Sequence, residues 1–265
     1  MDPALRTAAT GMQAQQTLSD VIANNLANVN TTGFKSSRAH FEDLLYQTIQ
    51  GPATLGSRDT EQLPAIQIGL GTRLTSVDRI DSQGSLEQTS RPWDLAVQGE
   101  GYFEVQLPNG NTAYTRDGSF QVSDQGVLVT SQGYAVQPTI KVPADATSVT
   151  VSSTGVVTAN GTATGTTSSD QEIGQIELSR FPNSAGLESL GQNLFGVTSA
   201  SGEAIKGQPT QNGNGSIAQG YLESSNVEIV TEMVNMITAQ RAYEINSKAI
   251  KNSEDMATTA NSLMR

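Results

Sequence analysis

From about residue 2 to residue 29 the chain consists of helix formers with no interior proline. Leu5, Ala8, Met12, Gln15, Ser19, Ile22, Leu26 and Val29 step by alternating threes and fours, the spacing of a heptad seam with two polar members. The run stops at Asn30-Thr31-Thr32-Gly33, where Gly33 can take the left-handed conformation that closes a helix. A second apolar cluster, Phe34 with Phe41, Leu44, Leu45 and Ile49, reads as a further apolar helix. At the opposite end Ser225-Asn226-Val227-Glu228 fits the Ser-x-x-Glu capping box, and no Gly or Pro follows it up to Arg265, which predicts a long C-terminal helix. Its apolar positions form two neighbouring stripes. One runs through Val230, Val234, Ile237, Ile245, Ala249, Met256 and Leu263, the other through Ile229, Met233, Met236, Tyr243 and Ile250. So wide a face needs more than one neighbour.

Between Gly51 and Ser224 the pattern changes to short alternating runs punctuated by turn signals. Tyr102 to Leu107 precedes Asn109-Gly110, Thr112 to Thr115 precedes Asp117-Gly118, and Phe120 to Val122 is joined to Val127 to Thr130 through Asp124-Gln125-Gly126. These predict antiparallel hairpins. Val149, Val151, Val156, Val157, Ile173, Ile176 and Leu178 mark further strands. The uncharged Ser/Thr-rich stretch from Thr147 to Ser169 reads either as an exposed hairpin or as a partly disordered loop. Gln50 to Gly71, with Gly51-Pro52, Gly56, Pro64, Gly69 and Gly71, reads as an extended connection. The fold class is therefore α+β: long terminal helices, at 1–49 and 226–265, enclose in sequence an extended linker at 50–71 and an all-β middle domain at 72–225.

At 1.5 Å per residue, helices of about 27 and 36 residues are roughly 40 and 54 Å long, against about 30 Å for a small domain. Two such rods can pair, yet the C-terminal one still shows apolar surface, which further copies of the chain are expected to cover. At roughly 150 residues per domain, 265 residues make one to two folded bodies. Only 15% of residues are charged, against about 25% in an ordinary domain, and Ser, Thr, Asn and Gln fill the gap. The net charge of −11 argues against nucleic acid or an anionic membrane as partner. It divides as −1 over residues 1–50, −9 over the middle and −1 over 226–265, so the helices expected to cluster are nearly neutral.

Catalytic parts are scarce. With no cysteine there is no disulfide, thiolate metal site or thiol nucleophile, and the single histidine, His40, makes no multi-histidine site. His40 reads as a helix-surface or packing residue. The Gly-x-Gly pairs at Gly69, Gly99 and Gly213 do not continue into a dinucleotide fingerprint and read as turns. Asp78, Asp81 and Glu87 lack calcium-loop spacing. The expectation is a non-enzymatic chain with no cofactor, no metal, no nucleic acid and no small-molecule substrate. The first residues also lack a basic segment followed by an apolar one, so no ordinary secretory signal is visible. Asn24, Asn25 and Asn28 are poor helix formers on the N-terminal helix. They either set register from inside a bundle or face water, and spacing leaves both open.

Ile22-Ala23-Asn24-Asn25-Leu26-Ala27-Asn28-Val29-Asn30-Thr31-Thr32-Gly33-Phe34-Lys35 resembles the N-terminal signature of the bacterial flagellar rod and hook protein family. The C-terminal signature is similar too, as Ser225-Asn226-Val227, Glu232-Met233-Val234-Asn235-Met236-Ile237 and Gln240-Arg241-Ala242-Tyr243-Glu244-Ile245-Asn246-Ser247-Lys248. Phe41 to Ile49 and Tyr114-Thr115-Arg116-Asp117-Gly118-Ser119-Phe120 resemble the distal-rod branch of that family, and Asp94 to Phe103 a segment shared across it. The resemblance implies terminal helices paired as a coiled coil, with the β-rich domain outside. It further implies a helical homopolymer, a hollow shaft that crosses the periplasm within the basal body and carries motor torque to the hook. Proximal rod proteins, the hook protein and the ring proteins around the rod are then partners. Export through the flagellar type III apparatus accounts for the absent signal. The residues expected to carry self-assembly are Leu5, Met12, Ile22, Asn24, Asn25, Leu26, Asn28, Val29, Val230, Met233, Val234, Ile237, Tyr243 and Ile245. Rival readings are an adjacent rod or hook-type subunit of the same family, or a β-rich secreted adhesin with helical oligomerisation ends.

Overall fold

A computed structural model of the chain describes residues 3–50, 53–54, 62–63, 65–143, 145–161 and 170–263. It separates into two compact units, one made of Met1–Ala27, Ser37–Asp78 and Glu228–Arg265, the other of Asn28–Ser36 and Arg79–Val227. Among the described residues no helix is long and apolar enough to cross a membrane.

The first unit is built on two helices, α1 (Pro3–Ala27) and α2 (Ile229–Leu263), which pack against each other. Asn25 meets Glu232, while Gly11 lies against Asn246, so the pair runs antiparallel. A side chain at Gly11 would sit 2.9 Å from Asn246 Nδ2, and the glycine lets the helices approach there. The start of α2 differs from the capping-box expectation. The Ser225 hydroxyl accepts from the Val227 N–H at 3.3 Å and closes a turn ahead of the helix, which begins only at Ile229. Glu228 takes over the cap, its carbonyl accepting from the Glu232 N–H at 3.0 Å and its carboxylate from the Thr231 hydroxyl at 2.9 Å.

The segment after Gly33 is not a helix. Ser37–Asp43 is a strand paired with Thr72–Arg79, and Tyr46–Gln50 pairs antiparallel with Ile66–Gly69. Beyond these, Ala53–Thr54 pairs antiparallel with Gln62–Leu63, so the region read as a linker contributes a two-stranded ribbon. The physical reason is strand propensity: Tyr46, Thr48 and Ile49 are β-branched or aromatic, and Ile66-Gln67-Ile68 alternates apolar with polar, which outweighs the helical spacing of Phe41, Leu44 and Leu45. The remainder of that region, 51–52, 55–61 and 64, lies outside the described residues. His40 accordingly sits on a strand, exposed, with its Nε2 3.5 Å from Asp78.

Among its described residues the second unit is all β apart from one 3-10 turn. Its main sheet has seven antiparallel strands in the order Gln121–Val122, Leu128–Val129, Ala135–Gln137, Phe103–Gln106, Thr112–Thr115, Leu194–Gly196 and Glu188–Gly191. The hairpins expected at Asn109-Gly110 and at Asp124-Gln125-Gly126 form. The one expected at Asp117-Gly118 does not, because Thr112–Thr115 takes Leu194–Gly196 as its second neighbour. A three-stranded sheet of Ala146–Val151, Val156–Gly161 and Asp170–Gln175 accounts for the described part of the Ser/Thr-rich stretch, whose residues 162–169 lie outside it. Leu95, Val97, Phe103, Val105, Phe120, Leu128, Val136, Val157, Ile176, Leu178 and Ile217 fill one buried core. Tyr102, Tyr114, Phe181 and Phe195 form a second cluster with edge-to-face contacts.

Candidate assembly site

The inward stripe of α2 follows neither apolar stripe as a whole and takes only Met236 and Ile250 from the second. Glu232, Met236, Ala239, Ala242, Asn246, Ile250 and Ser253 recur at helical spacing and are its covered positions, Ala239 and Ser253 being fully buried. On α1 the buried positions are Ala8, Ala14, Ile22 and Asn25. A seam with small and polar side chains at Gly11, Ala14, Ala239 and Ala242 brings the backbones close and admits few bulky residues. Val230 (70% exposed), Val234 (56%), Ile245 (65%) and Met233, Ile237 and Tyr243 (45–51%) therefore face outward. Leu5, Met12 and Leu26 are half-buried, as are Asn28 and Val29 of the second unit, and Asn24 is exposed. Of the expected residues, only Ile22 and Asn25 lie in the interior.

Asn25 answers the question that spacing leaves open for the three asparagines. Its Oδ1 accepts from the Ser37 N–H at 2.9 Å and its Nδ2 donates to the Ser37 carbonyl at 2.9 Å, so the amide pairs with one residue of the first strand as a neighbouring strand would. The same Nδ2 reaches Glu232 Oε1 on α2 at 3.3 Å. One side chain thus ties both helices and the strand, and its burial is satisfied.

A second knot lies within the β unit, where the family-like signatures of the sequence meet. Lys35 and Glu223, 188 positions apart, form an ion pair with side-chain exposures of 1% and 0%. Lys35 Nζ also donates to the Ser82 carbonyl at 2.8 Å, and Glu223 Oε1 accepts from the Gly84 N–H at 3.0 Å. Arg116 Nη1 lies 3.5 Å from Glu223 Oε2, and its guanidinium donates to the carbonyls of Val97 and Gly99. The Gly33 N–H donates to the Glu223 carbonyl at 2.7 Å. Gly33 is at φ +69°, with the Arg116 and Asp117 backbone 2.9 Å from where a Cβ would stand, so glycine is required twice over. Asn226 Oδ1 accepts from the Ser36 N–H at 2.7 Å and its Nδ2 donates to the Ile80 carbonyl at 2.8 Å. Burial holds the Lys35 ammonium below its ordinary pKa despite the carboxylate partner.

Sequence reasoning quoted Lys35 and Arg116 inside motifs without giving them a role, and it passed over Glu223, Ser37 and Gly84. The available signal was charge in short supply: a Lys and an Arg inside otherwise neutral, turn-rich motifs. Among the described residues no group of three or more His, Asp or Glu side chains is placed to hold a metal.

Residues 5–35 match the family described as flagella basal body rod protein. Residues 96–159 match the flagellar hook protein FlgE/F/G D1 domain, and residues 218–263 the flagellar basal body rod FlgEFG protein C-terminal family. The chain is 50% identical over 264 residues to the flagellar basal-body rod protein FlgG of Borreliella burgdorferi, covering 99% of this chain and 98% of that one. It is 48% identical over 256 residues to FlgG of Buchnera aphidicola from Acyrthosiphon pisum, with 97% of each covered, and 49% identical over 254 residues to FlgG of Caulobacter vibrioides, with 96% of each covered. Each family match falls on a structurally distinct part: α1 with the Lys35 turn, the main sheet, and the Glu223 strand with α2. With near-complete coverage at about half identity added to these three matches, the chain belongs to the FlgG family of flagellar basal-body rod proteins.

Proposed function

We propose that the chain is the repeating subunit of the distal rod, polymerising helically with copies of itself into a hollow shaft that carries motor torque across the periplasm to the hook. The observation that carries this reading is the outward position of Val230, Met233, Val234, Ile237, Tyr243 and Ile245 on a helix whose seam with α1 is already closed. Exposed apolar surface of this extent marks a surface made to be covered. In the polymer the paired helices act as a coiled-coil assembly domain, and Leu5, Met12, Leu26 and Val29 with the α2 face meet neighbouring copies. The ribbon around Tyr46–Gln50 and Ile66–Gly69 presents Leu45, Tyr46, Ile49, Ile66 and Ile68 outward, and packing it between subunits stiffens the shaft. Proximal rod proteins, the hook protein and the surrounding rings border the shaft, and the subunit reaches it through the flagellar export apparatus.

The test is Ile237→Asp in the full chain. The isolated subunit should keep its secondary structure and its denaturation midpoint, while rod assembly and motility are lost. Rods of normal length from this variant would overturn the reading. Deleting residues 50–69 should yield assembled filaments of lower bending stiffness; unchanged stiffness would remove the ribbon from the mechanism.

A further inference from the structure

The β unit carries an open groove of about 510 Å³ between the free edges of two different sheets. Gln121–Val122 ends the seven-stranded sheet and Ala146–Val151 ends the three-stranded one, and residues of both line the groove. An edge strand offers unpaired backbone groups to any extended chain of matching register. Here the molecule already supplies a fragment of such a chain. The Gln219 side-chain amide accepts from the Val151 N–H at 2.9 Å and donates to the Val149 carbonyl at 3.0 Å. That is the pair of bonds a neighbouring strand would make. The same amide is anchored to the Pro92 carbonyl at 2.8 Å.

Those two bonds fix which backbone groups face outward. Residues of a strand alternate sides, so the Val149 N–H points the same way as its carbonyl, away from Val156–Gly161. Thr147, next along the outward side, is the extra residue of a β-bulge, where the register with the neighbouring strand shifts, so its backbone takes no part in that ladder. Among the described residues the edge is therefore occupied by an amide at one end and open at the other, inside the groove. Trp93, Val122, Pro143 and Val149 give the groove apolar surface for alternate side chains of an incoming strand. Among the described residues its only charged lining residue is Asp124, and no Lys or Arg lines it. The whole unit has seven Lys and Arg against fourteen Asp and Glu; among the described residues six of the seven cations are in ion pairs, and the seventh, Lys141, precedes the lining residue Val142.

We infer that this groove is a docking site for an extended, basic peptide segment of a partner protein, which adds as a strand to the open edge at Thr147–Val149 and directs a Lys or Arg to Asp124. Main-chain hydrogen bonds supply affinity in such a mode, and the apolar wall with the single carboxylate supplies selectivity. Trp93, the only tryptophan of the chain, lines the groove and reports on its occupancy.

The experiment titrates the full chain with acetyl-Thr-Val-Lys-Val-Thr-amide and follows Trp93 emission. A saturable shift is expected. It should weaken by at least about tenfold, 1.4 kcal/mol, when alternate backbone nitrogens of the peptide are methylated, and comparably when Glu replaces the peptide's Lys. Asp124→Asn should abolish the preference for Lys over Glu while leaving the denaturation midpoint unchanged. A peptide with methylated nitrogens that binds as well as the parent would overturn strand addition, as would the absence of saturation up to the solubility limit. An emission shift that follows chain concentration without peptide would assign the groove to a second copy and would equally overturn the proposal.

Discussion

The two units treat the same residue types in opposite ways. In the β unit Phe103, Phe120, Leu95, Leu178 and Ile176 are all at most 1% exposed, whereas in the helical unit Val230, Ile245, Met256 and Leu263 are 65–82% exposed. The β unit completes its own core with strands drawn from well-separated parts of the chain. The helical unit fills much of its inward surface with alanine, glycine, serine and asparagine beside Ile22, Met236 and Ile250, and leaves most of the large apolar side chains of α2 outside. Apolar burial is worth about 25 cal/mol per Å², so the β unit draws its stability from within, while much of the stability available to the helical unit is realised only when another surface covers it.

The largest test of that contrast is a pair of truncations. Phe103→Ala should destabilise the β unit by about 3–5 kcal/mol, read as a lower denaturation midpoint of Trp93 fluorescence. Ile237→Ala should move the helical unit of the isolated subunit by no more than about 0.5 kcal/mol, read from its far-ultraviolet ellipticity, because the side chain is already in water. Equal losses from both would erase the distinction between a self-sufficient and a shared core.

Of similar size is the effect of breaking the buried ion pair. Lys35→Met leaves Glu223 fully buried with only Arg116 at 3.5 Å and the Gly84 N–H to offset its charge, and should cost about 3–5 kcal/mol. Lys35→Met combined with Glu223→Leu should recover only part of the loss, since it removes the stranded carboxylate but takes the counter-charge from the buried Arg116. The same Trp93 midpoint measures both variants. A double variant as unstable as the single one would show that Glu223 is held by its other partners and not by Lys35.

How much of this was legible in the sequence follows from which forces leave a local trace. The two terminal helices were readable because periodicity over many residues is a local property, and the turns at Asn109-Gly110 and Asp124-Gln125-Gly126 because Gly and Asn demand particular backbone angles. The outward direction of Val230 and Ile237 was not readable. Apolar spacing reveals a stripe but not which partner it meets, and the inward stripe was set by the small residues Gly11 and Ala239 instead. The strands at Ser37–Asp43 and Tyr46–Gln50 were misread because Phe41, Leu44, Leu45 and Ile49 satisfy helical spacing over too short a window. The Lys35–Glu223 pair joins residues 188 apart, and no local pattern announces a buried charge.

A smaller effect probes the polar tie of the helical unit. Asn25→Ala removes both partners of the Ser37 backbone amide and carbonyl and the contact to Glu232, and should cost about 1–3 kcal/mol. Hydrogen exchange at the Ser37 N–H should accelerate in step with that loss. Gln16→Ala, at an exposed position of the same helix, should stay within about 0.5 kcal/mol. A Ser37 amide that exchanges no faster in Asn25→Ala would mean that the strand is held by its pairing with Thr72–Arg79 alone.

The smallest predicted effect uses alkali to separate the units. Tyr102 and Tyr114 sit in the aromatic cluster of the β unit, and burial raises both phenols above the ordinary value of 10.0, with the nearby Asp81 charge adding to the shift at Tyr102. An unfolded phenol ionises at lower pH than a buried one, so the unfolded chain holds fewer protons as pH climbs past 10. The stability tied to these groups is therefore fully present below pH 10 and is lost as pH rises through the folded values. Lys35 works in the opposite sense: burial lowers its ammonium from 10.5, so its contribution is present above 10.5 and is lost as pH falls through the folded value. Tyr102→Phe should cost about 1 kcal/mol or less at neutral pH and should flatten the decline of the Trp93 midpoint above pH 10. In the helical unit the Asp43 carboxylate beside Tyr46 also raises its phenol, so the unit has an alkaline response of its own, and Tyr102→Phe should leave that response of the ellipticity unchanged. A Trp93 midpoint that declines equally steeply in Tyr102→Phe would place the alkaline sensitivity elsewhere in the β unit, and Tyr114→Phe would then be the variant to carry it.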